Sequence, residues 1–262
     1  MVTFTCIFVS ITLLLTFLAT LFLTLSLFSN EWEYITYKTE RVEDIAESKN
    51  HSLGWIITGQ LARIEIQVPH ATGDNNRSGV VRKKVFYLLP AHGGVNKLCV
   101  DISEPIRERM KTDGQKSENC ISYLSNEKVI SKDSWLDRMR NLAMSCAIVS
   151  LILLGCSAPL GILGIFKKQI STIMVTGVMY ILAAVFGIFN LVFMRFKRVK
   201  PDGFYTSTVF DKGIPEDYMK TRIFTVGWPP SIEWAGLCLC LIASLFWLML
   251  AKIFRFLILA PS

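Results

Sequence analysis

Seven cysteines and three histidines are the residues with the widest chemical repertoire in this chain of 262. Cys6, Cys146, Cys156, Cys238 and Cys240 lie within or at the ends of apolar stretches, where a free thiol behaves as a small hydrophobe. Cys99 and Cys120 instead bracket the polar run VDISEPIRERMKTDGQKSEN. If that run matures in an oxidising compartment, two isolated thiols pair, and closing such a loop stabilises by roughly 3 kcal/mol. Cys238-Leu239-Cys240 lacks the C-x-x-C spacing of redox pairs and sits in an apolar run, so it carries no redox chemistry. His51, His70 and His92 show no ligand spacing, and no nucleophile is placed beside a base. The residues thus point to no catalytic centre, no metal and no cofactor.

Two N-x-S sequons, at Asn50 and Asn76, mark acceptors for glycans, which are added only on the lumenal side of a membrane. Ionisable groups inside the apolar stretches are few. Asn190 is the one amide well within a stretch, and Glu233 stands near the start of the last, between Trp228 and Trp234. A transporter or proton relay would carry several such groups around a cavity.

The elements that must position these residues follow from hydropathy. A mean hydropathy of +0.42 and 52% hydrophobic residues exceed the roughly 45–50% apolar share of soluble domains. Four stretches, residues 2–28, 142–166, 170–194 and 234–251, are each long enough to cross a hydrocarbon core of roughly 30 Å. The first has no basic leading region and no small-x-small cleavage site before Asn30, which argues for a retained helix rather than a signal peptide. The expected division is a first transmembrane helix over 1–28, a large loop over 29–140, a second helix over 141–166, and a tight turn over 167–169. A third helix over 170–195, a second loop over 196–231, a fourth helix over 232–255 and a short tail over 256–262 complete it.

Orientation signals conflict. The sequons and the cysteine pair place the large loop outside, and Lys167, Lys168, Lys252 and Arg255 suit a cytoplasmic turn and tail. The second loop, however, carries Arg195, Lys197, Arg198, Lys200, Lys212, Lys220 and Arg222, which a positive-inside reading would hold in the cytoplasm. Sequons and cysteines are given the greater weight, with both termini cytoplasmic and the plasma membrane as destination. From Asn30 to Met139 sixteen basic residues balance sixteen acidic ones, so the whole net charge of +7 lies elsewhere, at helix ends and in the second loop. There the basic groups snorkel at the interface or meet anionic lipid or an acidic partner. Nothing points to nucleic acid.

The large loop reads as mostly β. Residues 31–38 are rich in aromatic and β-branched types, and 63–68 alternate with Ile64, Ile66 and Val68 on one face. Residues 80–89, 95–102 and 121–124 are further short strands, 104–110 a short helix, and Ser131 or Asp133 caps a helix that continues through Trp135. The expected fold class is membrane α-helical: a four-helix transmembrane bundle with a small disulfide-stapled extracellular antiparallel sheet. In the helices, Thr12, Thr16, Thr20 and Thr24 recur every four residues, and Ser157 with Gly161 and Ala183 with Gly187 form small-xxx-small pairs. These favour close packing within the bundle or against a partner's helix.

Four spans, a large first loop with two cysteines, Trp32 just after the first helix and a tight cytoplasmic turn resemble the claudin, calcium-channel gamma-subunit and peripheral myelin tetraspan superfamily. The resemblance covers nearly the whole chain. Its first-loop signature is tryptophan, then Gly-Leu-Trp, two residues, cysteine, and a second cysteine. Trp32, Gly94, Cys99 and Cys120 match, while Val95-Asn96 replaces Leu-Trp. The long gap to Cys120 and the ending LILAPS, without a terminal valine motif, are more similar to the channel-modulator branches than to claudins proper. The resemblance implies a non-enzymatic auxiliary or regulatory subunit that partners a channel or receptor within the lipid. The alternative is a claudin-like adhesion protein meeting copies of itself through loop residues such as Trp55 and Phe86.

Overall fold

The computed structural model describes residues 2–69, 81–114, 119–122, 135–199 and 214–259. These form two compact units, one of long helices and one mostly of strands.

The helical unit consists of α1 (Val2–Phe28), α4 (Trp135–Phe166), α5 (Ile170–Val199) and α7 (Pro229–Leu259), each long and apolar enough to cross a membrane. The expected spans coincide with these helices, but three of the helices run further. Helix α4 begins at Trp135, α5 continues to Val199 and α7 starts at Pro229, whose fixed φ and missing N–H suit a first helical turn. The expected cap at Ser131 or Asp133 lies outside the described residues. Helices α4 and α5 form a hairpin across the Lys167–Gln169 turn, in which Lys168 takes a φ of 51°. Packing proceeds in series, α4 on α5, α5 on α7 and α7 on α1, while α1 and α4 barely touch.

Close approach is made by glycine. A Cβ at Gly161 of α4 would lie 2.7 Å from the Trp247 ring of α7, and one at Gly236 would lie 3.0 Å from Leu23 of α1. Large outward side chains such as Phe17, Leu163, Val178 and Leu245 stay exposed, as suits a surface meant for lipid.

The second unit contains β1 (Glu33–Tyr37), α2 (Thr39–Ser48), β2 (Ser52–Ile57), β3 (Leu61–Pro69), β4 (Val81–Leu88), β5 (Ala91–Gly93), β6 (Lys97–Val100), α3 (Glu104–Thr112), β7 (Cys120–Ser122), α6 (Glu216–Met219) and β8 (Arg222–Val226). Two antiparallel sheets form where one was expected: a five-stranded sheet in the order β7-β6-β5-β1-β8 and a three-stranded sheet in the order β2-β3-β4. The break falls at Pro90, which has no N–H to continue a ladder from β4 into β5. The strand expected from residue 95 starts only at Lys97. Residues 94–96 make the turn from β5, closed by the Gly94 N–H donating to the Lys97 carbonyl at 2.9 Å.

Alternation along β3 has the expected effect. Ala62 and Ile64 are buried and Ile66 packs beside them, while Arg63 and Glu65 on the other face form an ion pair. The side chain of Val68 lies outside the described residues. The core around Ile64 contains Tyr37, Val42, Phe86, Leu88 and Tyr218, and a neighbouring one contains Leu61, Tyr87, Val100, Ile102 and Met110. Phe86 is therefore wholly interior, which removes it from the expected set of exposed adhesion residues.

The largest departure concerns the second loop, which was expected to be a separate segment. Strand β8 pairs with β1 along five residues, from Glu33 opposite Val226 to Tyr37 opposite Arg222. Tyr218 of α6 fills the core beside Phe86, ring centroids 5.5 Å apart. Strands paired this way must lie on the same side of any bilayer the helices cross, so the basic second loop cannot face the cytoplasm while the large loop faces outward.

Candidate functional site

Cys99 and Cys120 face each other across β6 and β7 and are joined by a disulfide. The bridge closes a loop containing α3, whose Met110 is buried in the core around Tyr87. Trp32, immediately before β1, is fully buried, and its carbonyl accepts the Gly227 N–H at 3.0 Å. Trp32 thus anchors the junction of the first and last strands of the module, and Gly94 shapes the turn leading to Cys99.

Asn50 ends α2 on an exposed left-handed turn with a φ of 55°, a conformation asparagine tolerates. Asn76 lies outside the described residues. Next to Asn50, His51 Nδ1 stands 2.8 Å from the Tyr218 hydroxyl, and Lys49 pairs with Asp217. Burial, reinforced by Asp217, pushes the Tyr218 phenol up to about 12, so it keeps its proton. Desolvation and then the Lys49 ammonium pull the imidazole of His51 below its ordinary 6.5. The hydroxyl can therefore donate to an uncharged Nδ1. The hydrogen bond and charge of Lys49 hold the Asp217 carboxyl below its usual range. This cluster ties the two loops together.

A cleft of about 360 Å³ opens on the module between Trp55, Arg63, Glu65, Tyr87, Arg109 and Asp113. Its charges are largely matched internally. Tyr87 donates to Asp113 at 2.6 Å, Arg63 reaches Asp113 at 3.4 Å and pairs with Glu65, and Trp55 Nε1 donates to Glu43 at 2.9 Å. Among the described residues no group of three or more His, Cys, Asp or Glu could hold a metal ion.

At the edge of the five-stranded sheet, β8 leaves Phe224 45% and Val226 59% exposed. Their partners Ile35 and Glu33, on the same face of β1, are buried. A face that is covered on the inner strand is thus open on the outer one, where it presents Phe224 and Val226.

In the helices, Thr16, Gly161, Ala183 and Gly187 lie against neighbouring helices of the same chain. Thr12 and Thr16 are buried and Thr20 and Thr24 partly buried, and each hydroxyl donates to the carbonyl four residues back, at 2.8, 2.5, 3.0 and 2.8 Å. The Thr16 hydroxyl also accepts the Trp247 indole N–H at 3.0 Å. Ser157 is buried and donates to Leu154, and Gly161 abuts the Trp247 ring. Ala183 is buried and its carbonyl accepts Ser150 Oγ at 3.1 Å, and a Cβ at Gly187 would meet Leu237 Cδ2 at 2.5 Å. These surfaces are occupied by the chain's own helices. A bulky residue at Thr16 or Gly187 would strike the bundle before any partner.

Asn190 and Glu233, noted separately in the sequence, meet. Asn190 Nδ2 donates to Glu233 Oε1 at 3.0 Å and lies 3.3 Å from Oε2, and Ser26 of α1 donates to the Pro229 carbonyl at 2.9 Å while standing 3.5 Å from Oε2. All three side chains are fully buried. Sequence reasoning missed this meeting because it depends on which helix pairs are adjacent. The same holds for Trp247 with Thr16. Strand β8 was hidden within a loop read by its charge, although RIFTV has the β-branched and aromatic content of a strand. No family model and no curated protein matches the chain.

Proposed function

We propose that this chain is a non-enzymatic four-pass membrane protein that serves as an auxiliary or regulatory subunit of an ion channel or receptor, a divergent member of the claudin and gamma-subunit superfamily. In this reading it resides in the plasma membrane with both loops outside and both termini cytoplasmic. The observation that carries the reading is the open apolar edge of β8 on a module braced by a disulfide and by both loops. A rigid ectodomain with Phe224 and Val226 uncovered suits docking against another ectodomain, and paired loop charges leave little for small-molecule chemistry. The outward apolar faces of the helices offer a second surface to a partner in the lipid.

Crosslinking in native membranes followed by mass spectrometry tests it. Recovery of a channel or receptor subunit, lost on Phe224→Ser with Val226→Ser, is expected, whereas recovery of this chain alone would reject it. A junctional role has one specific observation in its favour, the exposed Ile56 and Ile57 on the edge strand β2. Under that reading, cells with no channel partner would concentrate the protein at their contacts, and Ile57→Ser would disperse it.

A further inference from the structure

Helices α1, α5 and α7 converge on one carboxyl group that has no counter-ion among the described residues. Glu233 lies about a turn into α7 and is fully buried. The polar groups facing it are Ser26 from α1 and Asn190 from α5. No charged residue occurs in α1; the nearest on α5 is Arg195, exposed and more than a turn beyond Asn190, the next on α7 is Lys252, and Arg138 and Arg140 in the first turns of α4 form no ion pair with Glu233. A bare carboxylate in such a place is far costlier than a carboxylic acid, because it is fully buried and no described cation offsets its charge.

The amide has the complementary deficiency. Asn190 Nδ2 is shared between both carboxyl oxygens, whereas Asn190 Oδ1 is buried and receives no hydrogen bond from any described residue. An acceptor without a donor therefore sits on the residue next to a carboxyl that as an anion has no donor to give. One proton answers both needs.

We propose that Glu233 carries a proton in the folded bundle and forms a two-bond ring with Asn190, the acid O–H donating to the amide oxygen and the amide N–H donating to the acid carbonyl. Rotation about the Asn190 Cβ–Cγ bond brings Oδ1 to one carboxyl oxygen while Nδ2 keeps the other. Ser26, hydrogen-bonded to Pro229, closes the third side from α1. Gly187 makes the approach possible, since even its missing Cβ would stand only 3.8 Å from Glu233 Oε1. The ring is a proton-held latch on the seam between α5 and α7. When the proton leaves, the carboxylate confronts the amide oxygen with no described cation paired to it, and the seam loosens.

The test uses the purified full chain in lipid nanodiscs. Infrared spectra at neutral pH should contain a protonated-carboxyl C=O band that shifts in D₂O and is lost in Glu233→Gln. The wild-type melting temperature should fall as pH rises above neutral, because the folded state holds a proton that the unfolded chain releases. Glu233→Gln, which can form an amide–amide ring, should melt at a temperature insensitive to that change. Should Glu233→Gln not fold, Asn190→Ser serves instead, with the carboxyl band displaced by loss of its partner. Absence of the band in the wild type overturns the proposal. So does stabilisation of the wild type by sodium at fixed pH without the band, which would make Glu233 a cation ligand.

Discussion

Trp247 shows how a single side chain can decide the fit of three helices. Its ring fills the space left by Gly161 of α4, its Cβ lies against Gly177 of α5, and its N–H is satisfied by Thr16 of α1. Gly161→Ala would drive a methyl into a rigid indole and should cost about 1–3 kcal/mol, whereas at Gly187 the obstacle is the end of a leucine that can change rotamer, so Gly187→Ala should cost less. Gly155→Ala, with nothing within 4 Å, should leave stability unchanged. Melting curves of the three variants in one detergent check the order. Thr16→Val removes the acceptor of a buried indole N–H and should cost about 1–3 kcal/mol, with Thr16→Ser recovering most of it. In the module, His51 has its folded-state pKa below 6.5, so the unfolded chain binds the extra proton first. The contribution is present above pH 6.5 and is lost as pH falls through the lower folded value. His51→Gln should flatten that acid limb of module stability, read by proteolysis against pH.

The elements test the pairing of the loops. Tyr34 and Thr225 are directly opposed on β1 and β8 and both exposed. Tyr34→Cys with Thr225→Cys should form a second disulfide during secretory maturation, seen as fragments that stay linked after cleavage between them. Tyr34→Cys with Ile223→Cys, off by two positions, should not. If the correct pair links only with added oxidant, the loops face a reducing compartment and the outward orientation fails. The four long helices and most strands could be read from hydropathy and alternation, because an unbroken apolar run long enough to cross a bilayer and the two-residue period of a half-buried strand are both contained in a short window. Helix α2 was not, although Val42 and Ala46 are its buried positions at helical spacing, because TERVEDIAES is so charged that it passes for loop. Strand β8 and the Asn190–Glu233 contact depend on partners far off in sequence, and no local window contains that information.

At the scale of the whole molecule, the second loop's membership in the module changes what its basic charge means. Arg195, Lys197 and Arg198 belong to the end of α5 and Lys220 and Arg222 to the module, and cytoplasmic placement cannot explain them unless the disulfide goes there too, whereas a bonded Cys99–Cys120 pair belongs to an oxidising side. Alkylation of the intact chain without reductant should leave both cysteines unlabelled. Asn50 and Asn76 should carry glycans, and tags at either terminus should be reachable only after permeabilisation. Labelling of both cysteines, or access to the termini on intact cells, would reverse the arrangement.

In both units the first element closes on the last: α1 packs on α7, and β1 pairs with β8. Tyr34 and Thr225 are separated by 191 residues, so at ~5–20 residues per second the ribosome leaves β1 and α1 waiting about 10–40 s for their partners. During that interval a membrane helix with a threonine-lined flank and a strand with an open ladder are both exposed to insertion factors and chaperones. The α4–α5 hairpin, whose halves emerge together, is complete well before. Biosynthesis therefore has a single late checkpoint, the arrival of residues 222–259. A chain terminated before it forfeits the closure of sheet and bundle at once, so truncations near the C-terminus should be cleared by quality control as thoroughly as early ones.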